Sequence, residues 1–193
     1  MSYALSAFAV PQDQIRRFPG CGDEELLRQC LSVAQERLAD LDEQLLDEDD
    51  DITHEQAFRE LFSGDISSKS FGAHYGWAFE TLCDCLGSSL SNRGFSPCNV
   101  EWYEQLDTHL ATSNVTLRFD NLINNCPIDI PLSDDWPMIG HWSHLEIADS
   151  ARSLAKLSGA NNSPEMAEAL ATVNEWFNVV AQNKNLIIVG FHG

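Results

Sequence analysis

Positively charged residues are scarce in this sequence. The chain of 193 residues has 11 Lys and Arg against 30 Asp and Glu, which gives a formal net charge of −19. Such a charge repels the phosphate backbone of nucleic acids and anionic membrane surfaces, so we expect neither as a partner. A basic protein would be electrostatically complementary to this chain. The competing interpretation is that the acidic composition only serves solubility.

Long hydrophobic runs are also missing. No stretch reaches the roughly 18–20 apolar residues that cross a bilayer. The apolar start, "MSYALSAFAVP", has no basic segment and no clear cleavage site, so it does not predict a signal peptide. We therefore expect a cytoplasmic protein. Its six cysteines are then most simply reduced thiols: Cys21, Cys30, Cys83, Cys85, Cys98 and Cys126.

The common catalytic and metal-binding motifs are absent as well. No GxSxG, P-loop or GxGxxG occurs. Cys83 and Cys85 lie on a predicted helix about 200° apart, so they cannot share a metal ion. His141 and His144 straddle a predicted helix start, whereas the histidines of HExxH share one helical face. The sequence thus predicts no metal, no cofactor and no catalytic residue. Whether the protein is an enzyme stays open at this point, with the balance against one.

Two short apolar runs mark the ends of the chain and predict buried strands over residues 3–10 and 185–191. Between them, apolar residues recur at steps of three and four, which is typical of amphipathic helices. Residues 114–123 fit either a strand or a short helix, and the three prolines of 124–137 predict an extended loop. We expect an α+β fold in a single domain, 1–193, with a small sheet that includes both terminal strands. About five to six helices cover it, beginning near Asp23, Thr53, His74, Asn99, Ser143 and Ser163.

The stretch "GHWSHLEI" (140–147) holds the most conspicuous polar cluster. Ser143 and Glu146 have the spacing of a capping box, in which each side chain bonds the backbone N–H of the other. Trp142 and Ile147 then flank the helix start as a hydrophobic staple. This ordinary motif accounts for the cluster without a metal or catalytic role.

Two surfaces are candidate binding sites. One is an aromatic and histidine pocket, expected where the segments 71–77 and 134–142 meet. Its predicted members are His74, Trp77, Asp134, Asp135, Trp136 and His141. The other is an acidic surface for a basic partner, at the end of the first long helix and in the loop after it. Its predicted members are Asp40, Asp42, Glu43, Asp47, Glu48, Asp49, Asp50 and Asp51.

The order of motifs resembles a known group of proteins. An aromatic helix, "YGWAFETLCDCLG", precedes "DDWPMIGHWSHLEIADSARSL", and "WFNVVAQNKNLIIVGF" closes the chain. This order is similar to that of small acidic bacterial proteins of unknown function, the YfbM-like family and its relatives. The acidic insertion at 42–52 and the Ser-rich stretch 63–70 depart from that pattern. The resemblance implies an α+β fold and supplies no functional residue.

Two functions of different classes are consistent with these observations. The first is a non-enzymatic protein-binding module, such as an immunity- or antitoxin-type inhibitor of a basic partner. The alternative is a small-molecule-binding protein or a metal-independent enzyme that uses the aromatic and histidine pocket.

Overall fold

The α+β class is confirmed by the computed structural model, which describes residues 3–46, 52–67, 72–134, 136–157, 162–181 and 183–193. One antiparallel sheet of four strands includes the strands near both ends of the chain. Its strand order is β2-β1-β4-β3, so the two terminal strands are neighbours at its centre. The strands are β1 (Leu5–Pro11), β2 (Ser88–Leu90), β3 (Met138–Trp142) and β4 (Leu186–His192).

The described residues form eight helices, two more than the upper number expected, and the two additional helices are six residues long. The helices are α1 (Gln12–Arg17), α2 (Glu24–Leu45), α3 (His54–Ser63), α4 (Gly72–Leu86), α5 (Val100–Thr112), α6 (Phe119–Asn124), α7 (His144–Leu157) and α8 (Pro164–Val180).

Local capping explains where most of the helices begin. Four side chains at helix starts each accept a hydrogen bond from the backbone N–H three residues later, as the sequence predicts. They belong to Asp23, Thr53, Asn99 and Ser163. The capping box before α7 is also confirmed. The Ser143 N–H donates to Glu146 Oε2 at 2.8 Å, and the Glu146 N–H donates to Ser143 Oγ at 3.3 Å.

The undecided segment 114–123 resolves into an extended stretch followed by α6. The Arg118 side chain, at the N-cap position, makes no capping hydrogen bond to this helix. Instead, the Asp107 carboxylate on α5 accepts the N–H groups of Phe119 at 2.7 Å and Asp120 at 3.3 Å. Burial raises the pKa of Asp107, and these two hydrogen bonds oppose that shift. The cap comes from another helix, so the local sequence could not predict it.

The chain divides into two compact units. The sheet unit comprises Met1–Ala9, Ser89–Cys126 and Ile139–Gly193, and the helical unit comprises Val10–Ser88 and Pro127–Met138. Compactness does not decide whether the two units unfold together, so the single domain 1–193 stays a prediction.

The core of the sheet unit is rich in aromatic rings. The Phe119 ring packs edge-on against Trp142, with ring centroids 5.0 Å apart, and Trp142 lies 6.2 Å from Trp176. Both indole N–H groups donate to backbone carbonyls, Trp142 to Arg118 at 2.6 Å and Trp176 to Ser91 at 2.7 Å. These bonds satisfy the polar atoms of two almost fully buried rings and fix their orientation.

In the helical unit, α2, α3 and α4 pack on one another. Their shared core includes Phe58, Leu61, Tyr75 and Phe79, all of which are buried. None of the helices in the described ranges combines the length and the hydropathy that crossing a membrane requires.

Candidate functional site

A cleft of about 610 Å³ opens in the sheet unit. It lies between the first turn of α5, the first turn of α8 and the segment that precedes α5. The described residues that line it are Tyr3, Gly94, Ser96, Pro97, Cys98, Asn99, Trp102, Glu165 and Glu168.

Local hydrogen bonds fix the walls of this cleft. The Asn99 side chain caps α5 by accepting the Trp102 N–H at 3.0 Å. The Trp102 indole N–H donates to the Gly94 carbonyl at 3.1 Å, which holds the half-buried ring in place. The Cys98 N–H donates to the Tyr3 carbonyl at 2.9 Å and so ties the preceding segment to the start of the chain. The aromatic wall is therefore preformed.

A chain of polar groups runs inward from the cleft. The Cys98 sulfur lies 3.1 Å from the Tyr103 hydroxyl, which lies 2.9 Å from Nδ1 of His192. Cys98 is half-buried, and Tyr103 and His192 are buried. The Tyr103 ring also meets the imidazole edge-on, with ring centroids 5.1 Å apart. A thiol at the cleft surface is thus connected through a phenol to an imidazole behind it.

Burial determines the protonation states of this network. It raises the pKa of the Cys98 thiol, which outweighs the opposing hydrogen bond with Tyr103. Burial also raises the pKa of Tyr103. It lowers the pKa of His192, while a hydrogen bond to the backbone of Ala4 acts in the other direction. All three groups are therefore neutral at pH 7, and the thiol is not an activated thiolate.

The charged groups around the cleft are acidic. Glu165 and Glu168 are exposed on its rim, and the part of the lining that the structure describes includes no Lys or Arg. An adjacent cleft of about 570 Å³ has exposed Glu101 and Glu104 among its lining residues. The neighbouring cation, Arg93, is already paired with both carboxylate oxygens of Glu175, at 2.6 and 2.8 Å.

The members predicted for the aromatic and histidine pocket lie in different environments. His74 is buried on α4, where its ring stacks on His54 with centroids 4.6 Å apart. Trp77 and Trp136 are half-buried, and Asp134 is exposed. The segments 72–74 and 132–134 do approach each other, because a Cβ added at Gly72 would lie 2.3 Å from the carbonyl carbon of Leu132.

The remaining two members are His141 and Asp135. His141 belongs to β3 in the sheet unit, and its Nδ1 lies 2.7 Å from the Asn125 carbonyl oxygen. Asp135 lies outside the described residues. The grouping of all six side chains in one site stays a prediction.

The predicted acidic surface is described only at its helical end. Asp40 and Glu43 are exposed on α2. Asp42 is engaged within the helical unit, where its Oδ1 accepts the His54 N–H at 2.7 Å and lies 2.8 Å from the His54 ring Nδ1. The other predicted members, residues 47–51, lie outside the described residues.

Sequence reasoning missed the residues of the sheet-unit cleft. Tyr103 and His192 are 89 positions apart, and the cleft joins residue 3 to residues 165 and 168. One usable signal was present, namely a polar His192 at the end of an otherwise apolar closing strand. A polar side chain in such a position has to find a hydrogen-bond partner.

The described residues form an acidic α+β protein whose sheet unit has a cleft lined by Trp102 and two glutamates. The chain belongs to the family described as "Domain of unknown function (DUF7691)", whose model matches residues 1–193. No curated protein and no solved structure matches the chain. The resemblance to the YfbM-like proteins and a bacterial origin stay predictions.

Proposed function

We propose that this protein is a non-enzymatic binding module that engages a basic partner protein, in the manner of an immunity- or antitoxin-type inhibitor. The observation that carries the proposal is the sheet-unit cleft. It combines a fixed, half-buried Trp102 ring with the exposed carboxylates of Glu165 and Glu168. An Arg or Lys side chain of the partner is the group that suits this combination.

The physical chemistry of the two components is complementary to a cation. A Trp face attracts Lys or Arg by about 0.5–1 kcal/mol at an exposed site and by about 2 kcal/mol when the pair is desolvated. Carboxylates accept the paired N–H groups of a guanidinium, which adds directional hydrogen bonds. Because Trp102 is already held by the Gly94 carbonyl, little side-chain entropy is lost when a cation stacks on it.

The net charge of −19 acts at longer range. It attracts a basic protein from a distance and speeds the encounter, whereas the cleft supplies the short-range contacts. The exposed Asp40 and Glu43 on α2 contribute to the long-range field. We assign the specific contact to the cleft and only steering to these α2 residues.

Affinity capture from the native cells tests this assignment. The tagged wild-type protein would be loaded at low salt and then washed at roughly 0.5 M salt, where the Debye length is about 4 Å. The same capture would be made with the double variant Glu165→Gln/Glu168→Gln and with the matched control Asp40→Asn/Glu43→Gln. Each double variant removes two exposed negative charges, so the two share the same change in net charge.

We expect a basic protein in stoichiometric amount on the wild type and on the control, with loss on the salt wash. The cleft variant should capture about tenfold less of the basic protein than the wild type does. A tenfold loss corresponds to about 1.4 kcal/mol of binding free energy. Equal retention by both double variants would remove the cleft from the proposal. Absence of any basic partner at low salt would overturn the proposed function.

A second candidate function is small-molecule binding or metal-independent catalysis in the same cleft. The observation that favours it is the Cys98 thiol, which lines the cleft and connects through Tyr103 to His192. A compound screen by thermal shift tests it, with Trp102→Ala and Cys98→Ala as comparison variants. A compound that stabilises the wild type but neither variant supports this candidate, and a screen in which every hit acts equally on all three argues against it.

A further inference from the structure

Two cysteines that are far apart in the sequence meet in the helical unit. Cys30 lies on the buried face of α2, and Cys85 lies half-buried near the end of α4, 55 positions later. The Cys85 S–H donates to the backbone carbonyl oxygen of Cys30, with the sulfur and the oxygen 3.7 Å apart. Both cysteines are free.

A second contact holds the two helices in register. Arg37, about two turns beyond Cys30 on α2, places one guanidinium nitrogen 3.1 Å from the buried carboxylate of Glu80. Another nitrogen lies 3.5 Å from Asp84. Because position 30 meets 85 while position 37 meets 80 and 84, the helices run antiparallel at this interface. The Cys85 side chain is therefore held against α2 at the level of Cys30.

We propose that Cys30 and Cys85 are a redox-active dithiol that closes to a disulfide between α2 and α4 when a peroxide is present. This function is independent of the proposed binding of a basic partner, which uses the sheet unit. The bridge would fix the α2–α4 interface covalently and would reopen with a thiol reductant.

The chemistry balances with hydrogen peroxide as the oxidant. The half-exposed Cys85 passes its proton to the Cys30 thiolate and attacks one peroxide oxygen. The O–O bond breaks, the departing hydroxide takes up the proton that Cys30 had lost and leaves as water, and a sulfenic acid forms on Cys85. The Cys30 sulfur then attacks the Cys85 sulfur, the S–O bond breaks and a second water leaves with the Cys30 proton. In total, two thiols lose two electrons and two protons, and the peroxide is reduced to two water molecules.

Cys30 is the member of the pair that loses its proton first. The contact with the Cys85 side chain lowers the pKa of Cys30 and raises the pKa of Cys85. Once Cys30 has lost its proton, transfer of the Cys85 proton to Cys30 places the single charge of the pair on Cys85. Cys85 is the member that a small oxidant reaches, because Cys30 is only 4% exposed.

Peroxide treatment of the reduced full-length protein tests the proposal. Remaining thiols would be blocked with N-ethylmaleimide, and the protein would be digested without reductant and analysed by mass spectrometry. We expect an intact mass lower by two hydrogens and a linked pair of peptides that contain Cys30 and Cys85. The melting temperature should rise by roughly 5–10 °C and return to its original value with dithiothreitol.

Variants make the result specific. Cys85→Ser should abolish both the linked peptides and the thermal shift, whereas Cys21→Ser, at an exposed cysteine, should leave both unchanged. Because Cys85 is half-buried, its substitution is not expected to prevent folding. Over-oxidation of Cys85 without a link to Cys30, or a bridge that uses other cysteines, would overturn the proposal.

Discussion

The sheet unit and the helical unit satisfy their buried polar groups in different ways. In the sheet unit, large aromatic side chains reach backbone carbonyls, as the Trp102, Trp142 and Trp176 indole N–H groups do. In the helical unit, ionisable side chains pair with one another, as His54 does with Asp42 and Arg37 with Glu80.

These two kinds of polar contact suit different roles. An indole bonded to a backbone carbonyl has one orientation and no charge to titrate, so the sheet unit is suited to a fixed cleft. Pairs of ionisable groups or thiols change with pH or oxidant, so the helical unit is suited to a chemical response. The sheet unit holds such groups behind its cleft, in the network of Cys98, Tyr103 and His192. Four sets of substitutions test this comparison, in order of decreasing expected effect.

Truncation of a core ring should give the largest effect. Trp142→Ala removes a fully buried indole and its bond to the Arg118 carbonyl, and we expect a loss of about 3–5 kcal/mol in the free energy of unfolding. Phe58→Ala makes the matched change in the helical unit. Amide hydrogen exchange would show whether both units lose protection in one transition, as a single domain 1–193 predicts. Separate transitions would contradict that prediction.

Glycines at close backbone contacts should give the next largest effect. A Cβ at Gly140 in β3 would lie 2.2 Å from the Asn121 carbonyl oxygen, and one at Gly72 would meet the backbone of Leu132. We expect Gly140→Ala and Gly72→Ala each to cost about 1–3 kcal/mol, measured by denaturant unfolding. Gly22→Ala is the control, since no atom lies within 4 Å of its added Cβ and only its positive φ opposes the change. If Gly22→Ala lowers the free energy of unfolding as much as the other two variants do, backbone conformation and not close contact accounts for the loss.

Loss of an ionisable partner in the helical unit should give a moderate effect. Asp42→Ala removes the acceptor for the His54 N–H at the start of α3 and for the ring Nδ1. We expect a cost of about 1–2 kcal/mol because a buried imidazole loses this partner. Asp40→Asn, on the exposed side of the same helix, should change stability by less than about 0.5 kcal/mol. Equal losses of stability in the two variants would show that Asp42 contributes no more to the fold than the exposed Asp40.

The smallest effect should come from the charge in the capping box of α7. Burial opposes ionisation of Glu146, but hydrogen bonds from Ser143 and Asn121 outweigh it and lower the Glu146 pKa. Its ionised form therefore stabilises the fold above the unfolded-state pKa of about 4.3, and this contribution disappears as the pH falls below that value. We expect Glu146→Gln to cost about 0.5–1 kcal/mol at pH 7. The difference from wild type should vanish toward pH 2 in acid-range unfolding, and a constant difference would contradict the assignment.

The sequence predicted those helices and strands that depend on residues close to them in the chain. Asp23, Thr53, Asn99 and Ser163 bond to backbone groups three residues away, so the sequence alone identifies these helix starts. The continuous apolar runs at the two ends predicted strands that the sheet confirms.

The sequence did not predict strands that depend on contacts with residues far away in the chain. The strand β3 was not predicted because its burial does not alternate: Ile139 and Gly140 are both buried, and Gly140 lies against the backbone of Asn121. The short strand β2 has three residues and no hydrophobic pattern. In each case the partner that stabilises the element is far along the chain.

The sequence by itself determined the α+β class, the caps of the main helices and the strong negative charge, because these depend on composition or on neighbours within one helical turn. Only the tertiary structure decided which side chains meet. Trp102 lines a cleft together with two glutamates of α8, Cys98 lies next to Tyr103 and through it to His192, and the Cys85 sulfur lies next to the Cys30 carbonyl. The physical reason is that the sites are built by packing between distant segments. Hydrophobic periodicity shows which face of an element is buried, but not which distant side chains it meets.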